Sequence, residues 1–397
     1  MTALHTSFPD DSVGLVTSRI LAVESPLVLS SGHTLPRFDL AYEYYGQLNA
    51  DASNAVLICH ALSSSHHAAG FHSEDDKSPG WWDNYIGPGK AIDTNKFFVI
   101  CSNNLGSCYG STGPLSINPE TGAQYGPDFP SLRVRDWVAS QKILMQELGI
   151  RQWAAIVGGS LGGMQVMRWA TEYPDLMAYS LVFASSMKLT AQNIAFNETA
   201  RQAITADPKF YDGYYFTHGT FPAKGVSLAR MIGHLTYLSD DAMDTKFGRE
   251  LRSGSFQLGQ DSDLEFQVES YLKYQGEKFS KAFDANTYIL MTRVLDYFDL
   301  AREYDHDPVK ALSHVKSPFL VVSFSTDWRF TPARSAELAN ALISAKKEVS
   351  YAAIESEAGH DAFLLKNDRF EQVFSTYMKR VAKQVLTAKE VQTGEAK

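Results

Sequence analysis

The segment Val157-Gly158-Gly159-Ser160-Leu161-Gly162 constrains the fold of this chain more than any other. A serine between glycines, after an apolar run and before helix-forming residues, is typical of the nucleophile elbow, a sharp turn from a strand into a helix. Side chains at Gly158 and Gly162 would collide with such a turn. The residues before the segment are apolar and strand-like, and those after it are good helix formers. The pattern predicts that Ser160 is a covalent catalyst.

A serine nucleophile needs a histidine to take its proton and an acid to orient that histidine. In chains with this elbow the acid comes first and the histidine second, each after a late strand. Residues 318–325 form a predicted strand that Asp327 follows, and a second predicted strand, 349–354, leads to His360 on a glycine-containing loop. The order and the strand context therefore predict a triad of Ser160, Asp327 and His360.

Acyl transfer by a serine also needs two N–H donors for the oxyanion of the tetrahedral intermediate. The amide that follows the nucleophile, that of Leu161, is the first candidate, and a loop after an earlier strand should supply the second. Apolar residues 55–59 lead into a loop in which Leu62 has the corresponding position. We therefore predict an oxyanion hole formed by the N–H groups of Leu62 and Leu161.

Three histidines, His66, His67 and His72, follow this loop closely and could suggest a metal site. However, no acidic or cysteine ligand lies near them at a spacing typical of metal sites, and a serine triad needs no metal. The sequence therefore predicts neither a metal site nor a bound cofactor.

Charge and cysteine content narrow the class of protein. The 397 residues carry a formal net charge of -9 without a basic block, which argues against nucleic acid or an anionic membrane as a partner. The cysteines number 3 and have no zinc-site spacing, which is consistent with a reducing compartment. The N-terminus has no basic and apolar signal pattern, and no apolar run is long enough to span a membrane. We expect a cytoplasmic enzyme.

Strand-like and helical segments alternate in two parts of the chain, which predicts an α/β fold with a mostly parallel sheet flanked by helices. Between these parts the pattern is helical and rich in aromatic residues. The predicted organisation is a first core part (1–188), a helical lid insertion (189–315), a second core part (316–388) and a polar tail (389–397). The insertion separates the nucleophile from the acid, which suits a lid over the site.

Further motifs lie in both core parts and in the lid: Gly80–Asp83, Ile86–Thr94, Tyr109–Pro114, Gly158–Gln165, Ala195–Glu198 and Gly359–Asp361. Together they resemble the homoserine O-acyltransferases of the α/β-hydrolase superfamily. The resemblance covers nearly the whole chain. It implies an α/β-hydrolase fold with an inserted helical lid, and a homodimer.

The resemblance also implies a reaction. An acyl group would pass from a CoA thioester to Ser160 and then to the side-chain hydroxyl of L-homoserine, a step of methionine biosynthesis. Arg230 matches the family's carboxylate-binding arginine, and Tyr237 lies on the same helical face. Asp361 matches the family's partner for the substrate ammonium group.

Arg329, two residues after the triad acid, bears on the identity of the acyl group. An acetyl group offers a buried guanidinium no partner, whereas a succinyl group ends in a carboxylate that arginine binds with two hydrogen bonds. This arginine resembles the succinyl-transferring branch of the family, so we predict succinyl-CoA as the co-substrate. Acetyl-CoA as donor, serine as acceptor and a carboxylesterase-type hydrolase with the same triad are the alternatives.

Overall fold

The computed structural model describes residues 8–252 and 266–387, so the predicted polar tail lies outside the described residues. Within the described part, eight strands form one sheet: β1 (Arg19–Val23), β2 (Phe38–Tyr45), β3 (Ala55–Cys59), β4 (Phe98–Ser102), β5 (Ala155–Gly159), β6 (Ser180–Phe183), β7 (Phe319–Phe324) and β8 (Val349–Ile354). Two short strand pairs lie outside this sheet: Leu27–Val28 with Thr34–Leu35, and Ile86–Gly87 with Ile92–Asp93.

The strand order in the sheet is β1-β2-β4-β3-β5-β6-β7-β8. The pairs β1–β2 and β2–β4 are antiparallel, and the other neighbouring strands are parallel. The sheet is therefore mostly parallel, as predicted. The first antiparallel strand was not predicted, because the apolar residues 20–23 do not alternate with polar ones although most of the strand is exposed at the edge of the sheet.

The helices of the described chain are α1 (Val134–Glu147), α2 (Leu161–Glu172), α3 (Ala191–Thr205), α4 (Ala223–Tyr237), α5 (Asp240–Phe247), α6 (Gln267–Ser280), α7 (Ala285–Asp296), α8 (Pro308–Leu312), α9 (Pro332–Ser344) and α10 (Asp368–Thr387). Alternate residues of the central strands contact opposite layers. In β3, Leu57 belongs to a core cluster with residues of α1, α2 and α9, while Val56 and Ile58 belong to a second cluster with residues of α10. Burial on both faces explains why these strands are continuous apolar runs.

Helices α3 to α8 lie between β6 and β7, in the region where the sequence predicts a lid. Helix α4 packs against α3 and α6, and a separate core cluster joins them through residues such as Ile204, Val226 and Phe279. The end of α4 is tied to the sheet, because Trp328 Nε1 donates a hydrogen bond to the carbonyl oxygen of Leu238 at 3.1 Å. This helical layer therefore lies against the loops that follow β7 and β8. None of the described helices combines the length and the apolar character needed to cross a membrane.

Candidate active site

Strand β5 turns into helix α2 at Ser160, whose backbone has φ 56° and ψ -123°. Positive φ is unfavourable for a residue with a side chain, and strained backbone of this kind is common at catalytic positions. A Cβ atom on Gly162 would lie 2.0 Å from the carbonyl oxygen of Cys59, and one on Gly158 would lie 2.4 Å from the carbonyl carbon of Gly162. The turn therefore requires both glycines, and Ser160 faces a cavity between the sheet and the helical layer.

The three side chains predicted to form the triad are in hydrogen-bonding contact. His360 Nε2 lies 2.9 Å from Ser160 Oγ, and His360 Nδ1 lies 2.8 Å from Asp327 Oδ2. All three residues are buried, Asp327 with only 1% of its surface exposed. When the neutral imidazole donates its Nδ1–H to Asp327, Nε2 can accept the Ser160 hydroxyl proton. The arrangement can therefore activate Ser160 as a nucleophile.

Hydrogen bonds within the loops after β7 and β8 fix the acid and the histidine. The second carboxylate oxygen of Asp327 accepts the backbone N–H groups of Arg329 at 3.0 Å and Phe330 at 2.7 Å. The hydroxyl of Thr326 accepts the N–H of Gly359, the residue before His360, at 3.0 Å. The two loops are thereby held in one relative position, which orients the imidazole.

The predicted oxyanion donors, Leu62 and Leu161, both lie beside Ser160. Leu62 lines the same cavity, and Leu161 is the first residue of α2. Within the described residues, neither backbone N–H donates a hydrogen bond to a backbone carbonyl outside regular structure. This is what the predicted oxyanion hole requires of the two amides.

His60, at the end of β3, anchors the loop that carries Leu62. Its Nδ1 donates to the carbonyl oxygen of Ala61 at 2.8 Å, and its Nε2 accepts the N–H of Asn104 at 3.0 Å. Burial lowers the pKa of His60 to about 4, so the ring is neutral near neutral pH, in agreement with one nitrogen acting as donor and the other as acceptor. His60 therefore has a structural role and positions the loop that carries Leu62.

The predicted substrate-binding residues Arg230, Tyr237 and Asp361 line the cavity that contains Ser160. The guanidinium carbon of Arg230 lies 5.7 Å from the centre of the Tyr237 ring, and Arg230 Nη1 donates to Ser63 Oγ at 3.3 Å. No described carboxylate lies within ion-pair distance of Arg230. Burial raises the pKa of Asp361 above its ordinary value, although the charges of His360 and Arg230 oppose the shift. A cation and an anion thus face one cavity without forming a direct ion pair.

Arg329 also lines this cavity and is only 7% exposed. Its Nη1 donates to Thr236 Oγ1 and its Nη2 to Asn197 Oδ1, both at 2.9 Å. Asn197 is oriented in turn by Asp296, which accepts its side-chain N–H at 2.7 Å. Within the described chain no carboxylate forms an ion pair with Arg329, so its buried charge is met by these neutral oxygens and by the Tyr237 ring, whose centre lies 5.5 Å from the guanidinium carbon.

Asn197 and Thr236 are the site residues to which the sequence analysis assigned no role. Asn197 lies within the motif Ala195–Glu198, and Thr236 is next to the predicted substrate-binding residue Tyr237. The available signal was thus their position within this motif or next to that residue. Their contact with Arg329 depends on how α3 and α4 pack over the loop after β7, which periodicity does not predict.

Comparison with known proteins assigns this chain to a family. The alpha/beta hydrolase fold family matches residues 54–367. The chain is 64% identical to a homoserine O-succinyltransferase of Cellvibrio japonicus over 378 residues, which are 95% of this chain and 100% of that protein. The chain belongs to the homoserine O-succinyltransferase family. The predicted α/β-hydrolase fold and the resemblance found in the sequence are both confirmed.

The solved structures that are similar to this homoserine O-succinyltransferase family member include both transferases and esterases. The crystal structure of a homoserine O-acetyltransferase from Bacillus anthracis matches with a TM-score of 0.85 and 29% identity, covering 91% of this chain and 97% of that one. The structure of esterase E22 matches with a TM-score of 0.83 and 27% identity, covering 91% and 100%. The fold is therefore compatible with both acyl transfer and ester hydrolysis, and the side chains of the cavity have to distinguish the two reactions.

Proposed function

We propose that the protein transfers a succinyl group from succinyl-CoA to the side-chain hydroxyl of L-homoserine, through an ester on Ser160, in methionine biosynthesis. The observation that supports this most strongly is the buried Arg329 guanidinium beside the triad, which has neutral hydrogen-bond acceptors but no described ion-pair partner. A buried unpaired charge is unfavourable, and the terminal carboxylate of a succinyl group would neutralise it.

In the first half-reaction, Ser160 Oγ attacks the thioester carbonyl carbon while His360 Nε2 takes the hydroxyl proton. The N–H groups of Leu62 and Leu161 stabilise the resulting oxyanion. Collapse of the tetrahedral intermediate breaks the carbon–sulfur bond, and the proton on His360 passes to the CoA thiolate. Asp327 stabilises the imidazolium throughout.

In the second half-reaction, His360 Nε2 takes the proton of the homoserine hydroxyl, whose oxygen attacks the acyl carbon. The same oxyanion donors act again, and the proton returns to Ser160 Oγ as the ester bond to the enzyme breaks. The reaction needs an acyl-CoA co-substrate and a small amino-acid acceptor. It needs no bound cofactor.

The charged groups of the cavity suit an amino-acid acceptor. In this proposal Arg230, assisted by Tyr237, binds the homoserine carboxylate, and Asp361 binds the ammonium group. Because Asp361 follows the catalytic histidine directly, it would place the acceptor close to the acyl-enzyme. Water has neither charge, so these contacts favour transfer to an amino acid over hydrolysis.

The acidity of Asp361 leads to a prediction about pH. Since its pKa is raised, Asp361 becomes protonated at a pH where an exposed aspartate is still ionised, and it then no longer pairs with the ammonium group. We expect the KM for homoserine to rise as the pH falls, and to begin rising at a higher pH than the protonation of an exposed aspartate would require, while the KM for succinyl-CoA changes little.

The variant Asp361→Asn should have a KM for homoserine at least about 10-fold higher at every pH and should lose this pH dependence. The exposed Asp241→Asn, in the lid region, is the matched control and should behave like the wild type. An unchanged pH dependence of the homoserine KM in Asp361→Asn would contradict the role of Asp361.

A single assay tests the proposed activity against its alternatives. The purified protein is supplied with succinyl-CoA or acetyl-CoA as donor, and with L-homoserine, L-serine or no acceptor, while thiol release and the acylated product are followed. We expect the highest kcat/KM with succinyl-CoA and homoserine. Equal or faster turnover with acetyl-CoA, with serine, or without an acceptor would contradict the donor, the acceptor or the transferase assignment, respectively.

The cellular location, the domain organisation and the oligomeric state of the enzyme are also part of the proposal. The described cysteines are all free, which suits the cytoplasm.

The region 189–315 acts as the lid of the core parts 1–188 and 316–388. Leu228 and Leu235 are about one-half exposed on α4, at 47% and 49%, and lie seven residues apart on one helical face, which suits the pairing of two lids in a homodimer.

A further inference from the structure

A second polar cluster lies outside the triad, between β2 and the loop that follows β3. Glu43, on β2, is fully buried. His72 Nε2 lies 2.6 Å from Glu43 Oε1, and His67 Nδ1 lies 3.0 Å from Glu43 Oε2. The two imidazole rings pack together, with centroids 3.9 Å apart. The fold therefore supplies the acidic ligand whose absence from the neighbouring sequence argued against a metal site.

The charge of Glu43 needs compensation, because a buried carboxylate is costly unless it is paired. In the described chain, the only cationic side chains within ion-pair distance of Glu43 are histidines, with His66 Nε2 the farthest at 3.7 Å. His66 Nε2 is already 2.6 Å from the hydroxyl of Ser18. Besides the Tyr45 hydroxyl, the groups directed at the carboxylate are the imidazoles of His67 and His72, and imidazoles are common ligands of divalent transition metals.

We propose that Glu43, His67 and His72 bind a divalent transition-metal ion of the Zn²⁺ class. Their candidate ligand atoms all lie within 4.8 Å of one another, and two ligands of a tetrahedral Zn²⁺ ion lie about 3.4 Å apart. Only small side-chain movements would therefore be needed. The side chain of His72 is 46% exposed, which gives the ion a route from solvent and leaves a coordination position for water.

The surroundings of the cluster are typical of a metal site. The Tyr45 hydroxyl donates to Glu43 Oε2 at 2.9 Å, and its oxygen accepts the N–H groups of Ala68 and Ala69 at 2.8 and 3.1 Å. The residue before His72 is fixed as well, since Phe71 N–H donates to the carbonyl oxygen of Gly14 at 3.0 Å. Such outer contacts orient ligands and support metal affinity.

The consequence of metal binding would be structural. The ion would join β2 to the loop after β3, which also carries the oxyanion residue Leu62 and the Arg230 partner Ser63. We therefore expect metal to raise the melting temperature, since a ligand that binds only the folded state stabilises it. This site does not depend on the proposed acyl transfer, and its test does not use activity.

The test uses tag-free protein that has been dialysed against a chelator and then titrated with Co²⁺, whose visible absorption reports the coordination geometry. We expect one Co²⁺ per chain with ligand-field bands that Zn²⁺ removes by displacement, and a higher melting temperature with Zn²⁺. Loss of a ligand in His72→Gln or Glu43→Gln should weaken Co²⁺ binding at least about 10-fold.

His314→Gln, an exposed histidine in another part of the chain, is the matched control and should bind Co²⁺ like the wild type. Because Glu43 is buried and its variant could fail to fold, the test is decided by the variant His72→Gln, at a half-exposed residue. The proposal is overturned if the wild type gives no ligand-field bands, or if His72→Gln binds Co²⁺ as tightly and with the same spectrum as the wild type.

Discussion

Replacing Ser160 with alanine should lower kcat for succinyl transfer by about 10⁶-fold, since loss of the nucleophile of a serine triad removes nearly all of its rate enhancement. In the proposed mechanism the hydroxyl is the only group of the triad that forms a bond to the acyl carbon, and its contact with His360 Nε2 at 2.9 Å would prepare it for attack. The measurement is the initial rate of thiol release with saturating succinyl-CoA and homoserine.

The exposed Ser313→Ala serves as the matched control for this substitution and should keep wild-type activity. Since Ser160 is in a strained turn, alanine there should leave the melting temperature of the protein unchanged or slightly raised. A Ser160→Ala variant that folds normally and retains a substantial fraction of the wild-type rate would contradict covalent catalysis.

Replacing Arg329 with leucine should lower kcat/KM for succinyl-CoA by about 30-fold or more. Truncating one member of a buried, hydrogen-bonded charge pair costs about 2–5 kcal/mol, and each tenfold in rate corresponds to about 1.4 kcal/mol. An acetyl group has no carboxylate to lose, so kcat/KM for acetyl-CoA should stay the same or increase. The measurement is the ratio of kcat/KM for the two donors, with homoserine as acceptor.

Two further variants make the Arg329 result specific. The partly exposed Arg334→Leu, on α9, is the same substitution outside the cavity and should leave the donor ratio unchanged. Thr236→Val removes one acceptor that positions the guanidinium, and it should shift the donor ratio in the same direction as Arg329→Leu but by less. Equal losses with both donors in Arg329→Leu would show that this arginine supports the fold of the site and does not select the acyl group.

The sequence was sufficient to predict the juxtaposition of the triad because each member has a local signal. The glycines around Ser160 are required by close approaches such as that to the Cys59 carbonyl. Asp327 follows a buried strand and His360 follows a partly exposed one, and these neighbouring parallel strands bring their ends to one edge of the sheet. The order of these segments along the chain is therefore enough to predict that the three side chains meet, without knowledge of how the side chains pack.

The partners of Arg329 and of Glu43 could not be predicted from the sequence, because they depend on contacts between distant segments that local patterns do not encode. Asn197 and Thr236 meet Arg329 only because α3 and α4 pack over the loop after β7. Glu43 meets His67 and His72 across more than twenty positions of the chain, so the argument from spacing found no acidic ligand. The exposed edge strand Arg19–Val23 gave no apolar alternation and was missed for that reason.

The central claim is that Ser160 carries the succinyl group between the two substrates. Intact-mass spectrometry after mixing the protein with succinyl-CoA alone should show one added succinyl group, and peptide mapping should place it on Ser160. Addition of L-homoserine should remove the adduct much faster than water does and yield one equivalent of O-succinylhomoserine. No adduct under conditions of rapid turnover, or an adduct that homoserine does not discharge, would contradict the account.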